Sequence, residues 1–131
     1  MIRDILIVAL GGALGAVARF IVSVVFSEYG GWRSFPWATL TVNTVGCLLL
    51  GFLAHCFLVL PGLPASLRLA VATGFLGAMT TFSTFGVESI YMWQKDPLLG
   101  LANIAANLIF GLGAAALGVQ LGVWCLGPTN H

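Results

Sequence analysis

Apolar residues run along the chain in four long stretches, roughly Ile5 to Phe26, Pro36 to Leu60, Leu67 to Trp93 and Leu98 to Leu126. A helix crossing the hydrocarbon core of a bilayer needs about 20 mostly apolar residues, and each stretch is long enough. Between them lie SEYGGWRSF, with Glu28, Gly30, Gly31 and Arg33, then LPGLPAS with two prolines, then QKDP with Lys95, Asp96 and Pro97. These are turn and breaker signals. The pattern predicts an all-α membrane protein with four transmembrane helices in a single domain over residues 1–131.

Composition supports that reading and narrows it. Of the 131 residues, 60% are apolar and 7% charged, whereas soluble domains carry about 25% charged residues. Little chain lies between the spans, which leaves no room for a soluble domain, a linker or a basic patch for nucleic acid. Ala16-Val17-Ala18 matches a signal-peptidase pattern, but Asp4 cancels Arg3 and the apolar run continues to Phe26, so the first stretch reads as a retained span. Cys47, Cys56 and Cys125 are isolated in apolar segments without metal-ligand spacing, and read as small buried hydrophobes. His55 and His131 stand alone, so an enzyme reading has almost no residues to rest on.

Basic residues set the orientation of membrane proteins. Four spans put Arg3 and Arg68 on one side and Arg33 and Lys95 on the other, two against two; assigning Arg19 to its nearer side makes it three against two. So small a bias predicts dual topology, with copies inserted both ways up. Small residues at four-residue spacing predict close helix packing: Gly11 and Gly15, beside Gly12 and Ala16, in the first span, and Ala114, Gly118 and Gly122 in the fourth. A bundle this tight leaves space only for a small permeant species, and a pathway would form with a second subunit.

Polar side chains inside spans are costly, so each raises a question of function. Arg19 lies about 10 Å from the end of its span at 1.5 Å per residue; it is either a snorkelling anchor or a positive charge drawing anions to a vestibule. Thr39 and Asn43 share a helix face, as do Asn103, Asn107 and Gly111. These faces should point inward, to bond another helix or to line a wet path.

The third stretch contains GFLGAMTTFSTFGVE, residues 74–88. On a continuous helix Thr81, Thr84 and Glu88 would form one polar stripe ending in a carboxylate, and Phe82 and Phe85, three apart, would by spacing alone be core. Gly74, Gly77 and the Thr80-Thr81 pair weaken the helix near mid-membrane. A break is therefore predicted between Gly77 and Thr81, and carbonyls freed there suit a cation such as Na⁺.

Three fragments together resemble the Fluc-type (CrcB) fluoride channel family: GGALGAVARF in the first span, ATLTVNTVGCLLLG in the second and GFLGAMTTFSTFGVE in the third. The resemblance implies an antiparallel dual-topology homodimer in the inner membrane that passes F⁻ passively out of the cytoplasm and protects against fluoride. It implies two pores at the subunit interface and a central structural Na⁺ held by the backbone carbonyls of Gly77 and Thr80. Phe82 and Phe85 would line the pores, Asn43 would hydrogen-bond the ion, and Thr39, Ser83, Thr84 and Glu88 would form a polar track, with Arg19 at the vestibule. Asn103 and Asn107 stand where the family often has a tyrosine and a serine. Partners would be fluoride, a second copy and membrane lipid, with no nucleic acid.

Two rivals remain on residues alone. A small multidrug or cation exporter needs a membrane-embedded carboxylate, for which only Glu88 is available, toward the end of its span. In a non-transporting scaffold the polar residues would only join helices.

Overall fold

A computed structural model describes residues 1–29 and 35–128; the breakers Gly30 and Gly31, the counted Arg33, and His131 lie outside the described residues. Helix α1 spans Ile2–Tyr29 and α2 spans Trp37–Val59. The third apolar stretch is not one helix. It opens as α3 (Ala65–Arg68), winds as a π-helix over Leu69–Leu76, returns to a short α4 (Gly77–Met79), breaks, and resumes as α5 (Phe82–Lys95). Helix α6 covers Pro97–Leu126. Four segments, Ile2–Glu28, Trp37–Val59, Ala65–Lys95 and Pro97–Leu126, are long and apolar enough to cross a membrane.

Asp96 makes the turn between the last two helices. Its Oδ1 accepts the Leu98 and Leu99 amides at 3.0 and 3.4 Å, capping α6. Pro97 occupies the first helical position, where a missing N–H costs nothing.

Glycines set how the helices pair. Helix α2 lies along α6, and α1 lies along the π-helical stretch and α4. A Cβ at Gly11 would run into the Ala70 carbonyl oxygen, and one at Gly15 into that of Phe75. On the other side Gly51 meets the Ala115 carbonyl, Gly118 meets the Leu48 carbonyl, and Gly122 meets the ring of His55. Backbone approach this close is how helices associate in lipid, where no hydrophobic drive separates protein from solvent. The small-residue stripes are thus used for packing within one chain. His55, solitary in sequence, is buried and bonds the Gly127 carbonyl at 2.9 Å, tying the end of α2 to the end of α6. Of the cysteines only Cys56 is buried; Cys47 is partly covered and Cys125 is exposed, contrary to the uniform burial expected, because Cys125 falls on the outward face of α6.

The apolar core sits beside the break. Val42 of α2 packs with Leu76 and Met79, and Ala18, Val22, Leu53 and Phe75 close around them. The interrupted backbone is therefore held between α1 and α2.

Candidate functional site

The break occupies Thr80 and Thr81, both extended (φ −78°, ψ 155° and φ −149°, ψ 114°). Asn43 of α2 holds it open. Its Oδ1 accepts the Thr81 N–H at 2.8 Å and its Nδ2 donates to the Thr81 carbonyl at 3.2 Å, a two-point grip on one peptide residue. Thr81 in turn caps α5: its Oγ1 accepts the Thr84 N–H at 3.2 Å and donates to Thr84 Oγ1 at 3.0 Å, with Ser83 Oγ 3.2 Å away. N-capping by threonine is a preferred way to start a helix.

This bonding changes what the carbonyls can do. In an unbroken helix the Gly77 carbonyl would receive the Thr81 amide, and the Thr80 carbonyl that of Thr84. Asn43 and the Thr81 hydroxyl take those amides instead. Two backbone oxygens are released from the ladder at the position where Na⁺ ligands are expected, and the donor set fits a hard cation.

Asn43 also begins a longer chain of bonds. Its Nδ2 donates to Asn107 Oδ1 at 3.1 Å; Asn107 Nδ2 donates to Asn103 Oδ1 at 3.0 Å and to the Asn103 carbonyl at 3.1 Å. Asn103 Nδ2 donates to Ser89 Oγ at 2.9 Å, and Ser89 Oγ donates to the Phe85 carbonyl at 2.7 Å. The face shared by Asn103 and Asn107 thus points inward. Asn103 is completely buried, at 0% exposure, and its amide is spent on protein.

Three cavities surround the break. One of about 310 Å³ is lined by Arg19, Ser23, Thr39, Thr81 and Thr84, and a second of about 530 Å³ by Ser23, Ser27, Thr39, Thr84 and Glu88. A third, of about 300 Å³, lies against Asn43, Thr80, Thr81, Phe82, Phe85 and Asn107. Thr81 lines the first and the third, so the non-helical residue sits between a hydroxyl-rich side and an aromatic side. Glu88 Oε2 is buried without a partner among the described residues, and Thr39 is the polar side chain set against this carboxylate.

Phe82 and Phe85 meet edge to face, with centroids 5.5 Å apart and planes at 60°. The spacing-based expectation that both are core holds for Phe85, 9% exposed, and fails for Phe82, 81% exposed. The predicted stripe of Thr81, Thr84 and Glu88 survives in altered form: Thr81 lies outside the helix as its cap, and Thr84 and Glu88 line one cavity. Sequence reasoning passed over Ser89, whose only signal is its place one turn after Phe85.

Comparison with known proteins extends from this site to the whole chain. The family model described as "CrcB-like protein, Camphor Resistance (CrcB)" matches residues 6–119. A protein from Hahella chejuensis named fluoride-specific ion channel FluC is 48% identical over 117 residues, covering 87% of this chain and 90% of the relative. One of the same name from Dehalococcoides mccartyi is 42% identical over 120 residues (91% and 92%), and one from Nitrobacter winogradskyi 38% over 118 residues (89% and 93%). With the match running from the first span through most of the fourth and taking in the whole of the broken helix, the chain belongs to the CrcB family.

Proposed function

We propose that this protein is a fluoride-selective channel of the inner membrane, multi-pass and not an enzyme, that lets F⁻ leave the cytoplasm passively and so protects the cell. The observation that carries the reading is the broken third span, with Thr81 between a hydroxyl-lined cavity and an aromatic one. Relatives named as fluoride-specific channels cover most of the chain.

Fluoride is small and strongly hydrated, so a pathway must replace its water with well-placed donors. Thr39, Ser83 and Thr84 offer hydroxyls, and phenyl edges at Phe82 and Phe85 carry the positive end of the ring quadrupole. Arg19 at the first cavity draws the anion inward. No lysine or arginine lines the aromatic cavity, which favours release over trapping. Asn43 reaches an ion only by giving up a bond to Thr81 or Asn107, so its principal work is to hold the break.

The pores belong to a homodimer with antiparallel subunits. Gly77 and Phe82 are exposed at the break, and irregular backbone at mid-membrane depth must be covered by protein. A second copy supplies that cover. The Gly77 and Thr80 carbonyls would hold Na⁺, whose charge would neutralise and fix oxygens that otherwise lack partners; two oxygens from one chain are too few, and a second copy doubles them.

Reconstitution in liposomes with F⁻ and Cl⁻ electrodes tests the function. Fast F⁻ efflux without Cl⁻ leak is expected. Silence toward F⁻ would overturn the reading in favour of a scaffold, and proton-coupled export of an organic cation would favour the exporter.

A further inference from the structure

The chain of bonds from Thr81 to Phe85 starts and ends on the third span, and everything between lies on other elements. Its two ends are of opposite kind. The Thr81 N–H can only donate and the Phe85 carbonyl can only accept. Those ends determine the orientation of every amide between them. Asn43 must turn its Oδ1 to Thr81, which points its Nδ2 at Asn107; Asn107 must then present Oδ1 to Asn43 and Nδ2 to Asn103; Asn103 must give its Nδ2 to Ser89. No member can flip without setting donor against donor. Ser89 and Asn103 are 3% and 0% exposed, so neither can touch an ion in any of the cavities.

We infer that Ser89 and Asn103 are positioning residues: acting through Phe85 and Asn107, they hold the turn from Thr81 to Phe85, and with it the Phe82–Phe85 pair, in the geometry that permeation requires. The two grips lie on either side of that pair, one on the Thr81 backbone and one on the Phe85 carbonyl. The consequence for flux rests on the channel reading above; the hold on the backbone does not. Asn103 therefore leaves the set of ion-contacting residues, where the family resemblance had put it, and Ser89 enters the site as a support.

Ser89→Ala removes the hydroxyl that joins Asn103 to Phe85, and Ser89→Thr keeps it. Two measurements on the reconstituted full chain decide the matter: F⁻ efflux with Cl⁻ leak, and hydrogen exchange of the backbone amides across residues 81–86. The loss of one buried hydrogen bond predicts about tenfold lower F⁻ flux and about tenfold faster exchange in Ser89→Ala. Ser89→Thr should restore most of both. Asn103→Leu, similar in volume, cuts the chain at its middle; combined with Ser89→Ala it should lose little more than the worse single variant, because both act on one connection. Ser89→Ala with flux and exchange like the parent would overturn the inference. So would a change in only one of them, or a loss that Ser89→Thr does not repair. Should the parent pass no F⁻, the channel reading falls, and the exchange measurement alone decides whether Ser89 holds the turn.

Discussion

Phe82 and Phe85 sit three residues apart and touch, yet one ring is open and the other is enclosed. The difference follows from position relative to the break: Phe82 is the first residue of α5, beyond the reach of α2, whereas Phe85 lies one turn inside, against the Asn-rich face of α6. Substitution should separate their roles. Phe82→Ile is expected to lower F⁻ flux while leaving the melting temperature in detergent unchanged, since little is packed on the ring. Phe85→Ile should lower both, with a stability loss of about 1 to 3 kcal/mol from reshaping a filled core. A flux equal to that of the parent in Phe82→Ile would remove this ring from the pathway.

At the scale of the element, the third span is organised by what grips it. Helix α1 presents Gly11 and Gly15 to the Ala70 and Phe75 carbonyls, and this is the stretch wound as a π-helix. Helix α2 supplies Asn43, and α6 supplies the amides behind it. The α2–α6 pair that carries this apparatus depends on backbone contact at Gly118, where a side chain would collide with the Leu48 carbonyl. Gly118→Val is therefore expected to destabilise by about 1 to 3 kcal/mol through overpacking. Gly113, with open space around its Cβ position, is the control: Gly113→Ala should be neutral or stabilise by up to about 1 kcal/mol, since alanine is the better helix former. Thermal unfolding followed by loss of the monodisperse peak on size exclusion distinguishes the two.

The whole molecule carries a near-even count of basic residues on its two sides and an exposed break in one span. The first feature lets copies insert both ways; the second requires a protein surface to cover it. Together they argue for an antiparallel pair. Adding two lysines at the N-terminus should force one orientation, because each basic residue near a span end biases insertion. Cells expressing only that variant should lose F⁻ efflux, and co-expression with a variant biased the other way should restore it. Orientation is read from C-terminal reporters active on one side of the membrane, and efflux by electrode. Full efflux from a chain locked in one orientation would exclude the antiparallel assembly.

Four spans, their boundaries to within a few residues, and the weakness of the third near Gly77 to Thr81 were legible in the sequence, because hydropathy and helix propensity are local properties. The inward faces of Thr39–Asn43 and Asn103–Asn107 were legible too, since an amide in lipid must find a partner. Which partner was not. That Asn43 would grip both polar groups of Thr81, that Asn103 would be spent on Ser89, and that Phe82 and Phe85 would part company depend on contacts between residues up to 64 positions apart. Such pairings are set by the distance and rotation at which helices meet, and glycine-to-carbonyl contacts fix these here. Periodicity shows which face of a helix turns inward; only packing shows what that face meets.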